Sequence, residues 1–133
     1  MEVNPYLMFN GTCAEALKFY EQTLGAQIET MMKTEGSPAA EHMPPDWGDK
    51  IMHARFRIGN NMVMASDSPP GYYSKPEGFS ISISVDDTAK GEEIFNKLAE
   101  GGSVKMPFAP TFWAKGFGMC VDRFSIPWMV NCE

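Results

Sequence analysis

The chain is poor in the residues that hold metal ions and in the runs that cross membranes. It has two histidines and three cysteines among 133 residues. The cysteines, Cys13, Cys120 and Cys132, are odd in number and lack C-x-x-C spacing. That argues against a disulfide framework or a zinc site and for reduced thiols in a cytoplasmic protein. The longest wholly apolar stretches are about four residues, as at 62–65, far short of the ~18 that span a bilayer. A soluble protein with no membrane partner is therefore expected. The opening residues, Met1-Glu2-Val3-Asn4-Pro5, have no basic start and no following apolar core, so no signal peptide is expected. Basic side chains are also scarce. Eleven stand against seventeen acidic ones, a formal net charge of −6, and that field repels phosphate backbones, so nucleic acid is not an expected partner.

What is present fits one ordinary globular domain. A length of 133 residues, with 44% hydrophobic and 21% charged side chains, suits a single domain with a real core rather than a disordered or fibrous chain. Residues 3–9 (VNPYLMF) form a short apolar run that Asn10-Gly11 breaks, which predicts a strand ending in a turn. Thr12 and Glu15 have the T-x-x-E spacing of a capping box. Ala16, Leu17, Tyr20 and Leu24 then recur at helical spacing, and Gly25 offers a left-handed stop. Residues 27–32 read as a strand. Residues 34–49 contain Gly36, Pro38, Pro44, Pro45 and Gly48 and read as a long loop, either a lid over a site or simply mobile. Two alternating runs follow, 51–58 and 62–67, joined by the hairpin turn Gly59-Asn60-Asn61.

The second half repeats this order. After a Pro/Gly/Tyr loop at 68–78 comes the strict alternation of 79–85 (FSISISV). Asp86 and Asp87 stand where a helix needs acceptors and negative charge. Ile94, Phe95 and Leu98 form the apolar stripe of that helix, and Gly101-Gly102 ends it. Residues 104–107, 117–122 and 128–132 are three further strand candidates. The pattern strand, helix, three strands is thus written twice, and a shift of 76 residues places Phe9 on Val85, Asn10 on Asp86, Phe19 on Phe95 and Gly25 on Gly101.

Two βαβββ halves in this length resemble the vicinal oxygen chelate superfamily, which includes glyoxalase I, bleomycin-resistance proteins and extradiol dioxygenases. The nearer resemblance is to its PhnB-like branch, whose members bear a 3-demethylubiquinone-9 3-methyltransferase label. The residues that carry it are Asn4-Pro5-Tyr6-Leu7, Ala16-Leu17-Lys18-Phe19-Tyr20, Leu24-Gly25-Ala26 and Ile51-Met52-His53-Ala54. In the second half they are Ser82-Ile83-Ser84-Val85-Asp86-Asp87, Ile94-Phe95, Leu98, Gly101-Gly102, Asp122 and Phe124-Ser125-Ile126-Pro127-Trp128. Ser125 departs from the branch, which has glycine in that turn, so a locally different turn is expected there.

The resemblance implies an α+β fold in which two βαβββ modules form a curved mixed sheet around a cavity, with helices on the convex side. The expected domain is 1–133, with modules at about 1–67 and 79–133 and a linker at 68–78. On that picture Leu7, Phe9, Ile81, Ile83 and Val85 meet the helices. Asn4, Tyr6, Met8, Ser80, Ser82 and Ser84 face the cavity, with His53 and Arg55 looking inward. Glyoxalase-type members hold a divalent ion with His, Gln and Glu side chains. The corresponding positions here are Asn4, Ser80 and Met129, with a counterpart near Met64, so no metal and no cofactor are expected. A different site using His53 with Glu41 or Asp67 is the alternative.

Other signals read two ways. The eleven methionines, with Met8, Met62, Met64 and Met129 at cavity-facing positions, suit either an adaptable pocket or core filling. Cys13 in a first helical turn is either an activated thiol or a small residue near a cap. Phe108, Phe112, Trp113 and Phe117 suit either a sandwich for a flat ligand or a dimer contact. No Gly-x-Gly strand-to-helix loop is present, so S-adenosylmethionine chemistry of the common parallel-sheet kind is not expected. The expected function is metal-free binding of a small organic ligand, probed by Tyr6, Met8, His53, Arg55, Met64, Ser80, Ser82, Phe112, Trp113 and Met129, in a cytoplasmic homodimer. The rival is a glyoxalase-like lyase or isomerase, or another enzyme, with an atypical metal site or with His53 as general base.

Overall fold

Alternating sequence becomes sheet wherever one face can be buried, and both halves of the chain follow that rule. The computed structural model describes residues 1–133 throughout. The chain forms two compact units, Met1–Ser74 and Lys75–Glu133. In the first unit the elements are β1 (Tyr6–Phe9), α1 (Cys13–Leu24), β2 (Gln27–Lys33), β3 (Ile51–Ile58) and β4 (Asn61–Asp67). In the second they are β5 (Ile81–Val85), α2 (Thr88–Ala99), β6 (Ser103–Ala109), β7 (Gly116–Val121) and β8 (Pro127–Cys132). The fold is α+β, two βαβββ modules, each with one four-stranded mixed sheet. The strand orders are β1-β4-β3-β2 and β5-β8-β7-β6. In each sheet the first strand pairs in parallel with the last, and the other pairings are antiparallel.

In the first unit α1 covers one face of its sheet. Ala16, Leu17 and Tyr20 are its buried stripe. Tyr20 stacks on Phe56 of β3 with ring centroids 6.1 Å apart and lies 6.5 Å from Phe9 of β1. Leu7, Ala54, Val63 and Ala65 complete that core. Gly25 ends α1 in the left-handed conformation at φ 68°, as its position predicts. The Thr12–Glu15 capping box does not form, because Thr12 makes no side-chain capping bond. The Cys13 N–H instead donates to Asp67 Oδ1 at 2.9 Å, and Asp67 Oδ2 accepts the Ile51 N–H at 2.8 Å. A charged acceptor brought from the end of β4 has displaced the local hydroxyl.

Residues 34–49 form the expected long connection and contain two short 3₁₀ turns, Pro38–His42 and Pro45–Trp47. Its stem is closed. The Thr34 N–H and hydroxyl both donate to the Lys50 carbonyl, and the Glu35 N–H donates to the Gly48 carbonyl.

In the second unit Phe95 and Leu98 of α2 are buried. Phe95 is seated directly over Gly118 of β7, where an added Cβ would lie 2.7 Å from the ring. Asp87 caps α2, accepting the Ala89 N–H at 3.1 Å. Trp128, Val130, Cys132 and Cys120 fill the core beneath that helix. The turn after β7 is built around buried Asp122. Its Oδ1 accepts the N–H groups of Phe124 and Ile126, and its Oδ2 accepts the Trp128 indole N–H at 2.8 Å. Ser125 adopts φ 74° in that turn, the left-handed conformation that glycine takes at no steric cost.

Candidate functional site

The helix-free face of each sheet collects the expected ligand residues of its strands, because the pleat sends every second side chain there. In the first unit three strands align Tyr6, Met64 and Arg55 in one row, since Tyr6 is the register partner of Met64 and Met64 that of Arg55. Thr30 of β2 extends the row opposite Arg55. Met8 and Ser66 pair in the next row, and His53 lies opposite Met32. Five expected ligand residues, Tyr6, Met8, His53, Arg55 and Met64, therefore share one face of one sheet. The Tyr6 hydroxyl lies 3.4 Å from His53 Nδ1, and their rings are 6.0 Å apart. Met8 is 54% exposed, which no core-filling role explains.

The cations on this face differ. Arg57 donates from Nε to Glu29 Oε2 at 2.7 Å. Arg55 makes neither a hydrogen bond nor an ion pair.

In the second unit the residues aligned across the open face are uncharged. Ser82 pairs with Met129 and Met129 with Met119, while Met106 of β6 lies opposite Met119. In the neighbouring row Ser84, Asn131 and Phe117 align. The Asn131 Oδ1 is buried and has no hydrogen-bond partner. Ser80 immediately precedes β5. Phe112 and Trp113 lie between β6 and β7 in edge-to-face contact at 4.8 Å, and Trp113 meets Phe117 at 5.4 Å. Phe112 is 97% exposed. The Thr111 hydroxyl accepts the N–H groups of Trp113 and Ala114, fixing the turn that presents these rings.

Met119, Met106 and Asn131 were not singled out from the sequence, although the alternation of GFGMCV and WMVNC carries the signal for two of them. A separate recess of about 290 Å³ lies between the start of α2 and the end of β6, lined by Thr88, Glu92, Phe108, Pro110 and Lys115 among others. None of the expected ligand residues borders it.

The thiols are shielded from solvent. Cys13, Cys120 and Cys132 are all buried. Burial, reinforced by the negative charge of Asp67, pushes the Cys13 thiol far up. Burial and then Asp122 push Cys120 up to about 11. The activated-thiol reading of Cys13 fails because desolvation outweighs the helix dipole.

The architecture is that of the vicinal oxygen chelate fold. A glyoxylase/bleomycin resistance protein/dioxygenase domain from Frankia sp. EAN1pec superposes with a TM-score of 0.66 at 13% identity, covering 99% of this chain and 96% of that one. The chain belongs to the family described as 3-demethylubiquinone-9 3-methyltransferase, whose model matches residues 1–131. It is similar to Protein YjdN of Escherichia coli (strain K12), with 35% identity over 141 residues, 98% of this chain and 95% of that protein. Protein PA1353 from Pseudomonas aeruginosa is 53% identical with a TM-score of 0.90, covering 100% of this chain and 98% of that one. A PhnB protein from Bacillus cereus is 22% identical with a TM-score of 0.84 over the whole of both chains.

The divalent ion that the superfamily resemblance implies can be tested against the residues present. The four positions hold an amide (Asn4), a hydroxyl (Ser80) and two thioethers (Met64 and Met129). Nowhere do three His, Cys, Asp or Glu side chains converge. Thioethers are soft, weak donors, unlike the imidazole and carboxylate set that a hard or borderline divalent ion takes. These residues do not fit the ion. Of the two alternative partners for His53, Glu41 and Asp67, Asp67 lies on the opposite, helix-covered face of the sheet, where its oxygens accept backbone N–H groups.

Proposed function

We propose that this chain binds a small organic molecule without a metal ion, on the methionine-lined open faces of its sheets, as a single two-module domain that works as a homodimer. The observation that carries this reading is the row Tyr6–Met64–Arg55, flanked by Met8 and His53 on one helix-free face. Apolar side chains left toward solvent in register with polar ones are what a ligand surface needs. Thioethers adapt to shape, and a few polar groups fix orientation. Ser80, Ser82 and Met129, with the presented rings of Phe112 and Trp113, supply the same chemistry in the second unit. The methyltransferase in the family's description does not guide the reading. Each sheet has only one parallel pair, whereas the common S-adenosylmethionine fold needs an open parallel sheet with a glycine-rich first turn.

A second reading is an enzyme with His53 as general base, or one using an atypical metal site. The Tyr6–His53 contact favours the first form: when Nδ1 donates its proton to the Tyr6 oxygen, Nε2 carries the lone pair that a base requires. A thermal-shift screen of small metabolites and aromatic antibiotics, paired with elemental analysis of the purified protein, separates the readings. The binding proposal expects one compound class to raise the melting temperature by mass action while metal stays far below one equivalent. Stoichiometric Zn, Ni, Fe or Mn reverses it.

A further inference from the structure

The two modules provide an internal control on what the scaffold itself requires. Arg55 and Met119 occupy the same place, each being the antiparallel partner of the thioether in the middle of the last strand, Met64 or Met129. Counting along the same strands, His53 corresponds to Phe117 and Arg57 to Val121. The sheet is therefore satisfied by Met, Phe and Val at these three positions, and Arg, His and Arg are not demanded by packing. Of the two guanidiniums, Arg57 is neutralised by Glu29 at 2.7 Å. Arg55 is left without a partner in a chain whose net charge is −6. Its register partners Met64 and Thr30 bring no charge, and the carboxylate of Glu29, next to Thr30, is engaged by Arg57.

We infer that the open face of the first sheet recognises an organic anion, an oxyanion head carried on an apolar body, with Arg55 as the residue that holds the charge. This rests on the ligand-binding reading above and names its ligand class. A guanidinium presents a fork of N–H donors matched to a carboxylate or sulfonate. An exposed ion pair alone adds little affinity, so the apolar body matters. Laid over Met8, Met62 and Met64, it removes water from both itself and the Arg55 contact, and the charge then selects among apolar ligands.

The test uses two fluorescent dyes that differ only in a sulfonate, 8-anilinonaphthalene-1-sulfonate and N-phenyl-1-naphthylamine, titrated into the full chain and into Arg55→Met, Arg55→Lys and the double variant Glu29→Gln/Arg57→Gln. The sulfonate dye is expected to bind the unaltered chain about five- to tenfold more tightly than the neutral dye. Arg55→Met, which installs the second module's residue, removes that preference and leaves neutral-dye affinity within about twofold. Arg55→Lys keeps part of the preference, and the double variant Glu29→Gln/Arg57→Gln, which removes a neutral pair, keeps it in full. Equal binding of both dyes, or a preference that survives Arg55→Met, overturns the anion assignment while leaving the binding reading intact. An equal loss in the double variant also overturns it, since the Arg57–Glu29 pair would then share the role assigned to Arg55. Binding of neither dye overturns the assignment and the binding reading together.

Discussion

Ser125 is the only non-glycine residue with a positive φ, at 74°. The left-handed region costs an L-residue with a Cβ about 1–2 kcal/mol, and glycine returns roughly 0.5–1 kcal/mol of that through its larger unfolded-state entropy. Ser125→Gly is therefore expected to stabilise the chain by about 0.5–1 kcal/mol, read as a higher urea midpoint with unchanged m-value. An unchanged or lower midpoint would show that the serine hydroxyl compensates for the strain. The departure of this position from the PhnB-like pattern was visible in the sequence. Its consequence was not, because the bonds from Phe124 and Ile126 to the Asp122 carboxylate, which hold the turn around Ser125, emerge only in the fold. At the same scale, the free guanidinium of Arg55 could not be told from the paired one of Arg57 until the position of Glu29 across the strand pair was known.

Among the elements, α1 shows how a local signature loses to a distant partner. Thr12 and Glu15 have the right spacing for reciprocal capping, yet the helix is held by Asp67, 54 residues from Cys13 along the chain. The same carboxylate receives the first amide of β3 at 2.8 Å. One buried side chain thus joins the end of β4, the start of α1 and the start of β3. Asp67→Asn replaces one accepting oxygen with an amide that faces an N–H donor. The expected loss is about 2–3 kcal/mol, the cost of a charge-assisted bond and an unsatisfied buried donor. Asp87→Ala, removing the exposed cap of α2, is expected to cost only about 0.5–1 kcal/mol. Urea denaturation of the two variants side by side checks the ordering, and a smaller loss for Asp67→Asn would refute it. Strands and helices themselves were legible, because period-2 and period-3.6 patterns survive in short windows. The identity of the capping group was not, because hydrogen-bond partners across β4 and α1 leave no trace in local spacing.

At the scale of the whole chain, the duplication was the most legible property, and it extends from element order to strand register. Phe9 pairs with Asp67 at the end of β1, and Val85 pairs with Cys132 at the corresponding end of β5. The two carboxylates that organise the modules, Asp67 and Asp122, do not correspond in this repeat, and each lies beside a buried thiol whose proton it helps retain. That arrangement sets a property of the entire folding equilibrium. In the unfolded chain a thiol titrates near pH ~8.5, whereas folded Cys120 holds its proton to about 11 and Cys13 beyond that. Above the unfolded value the native state binds more protons than the unfolded state, so stability falls as pH rises. It is fully present below about pH 8. Each such thiol contributes a slope of up to ~1.4 kcal/mol per pH unit, and the Cys120 share ends near its folded value of about 11. Unfolding free energies measured at pH 8, 9.5 and 10.5 are expected to decline steeply in the unaltered chain. In Cys120→Ala the decline should be shallower by close to one proton, even though the variant starts lower at pH 8 because it leaves a small void. Parallel curves for the two proteins would mean that Cys120 loses its proton as readily folded as unfolded.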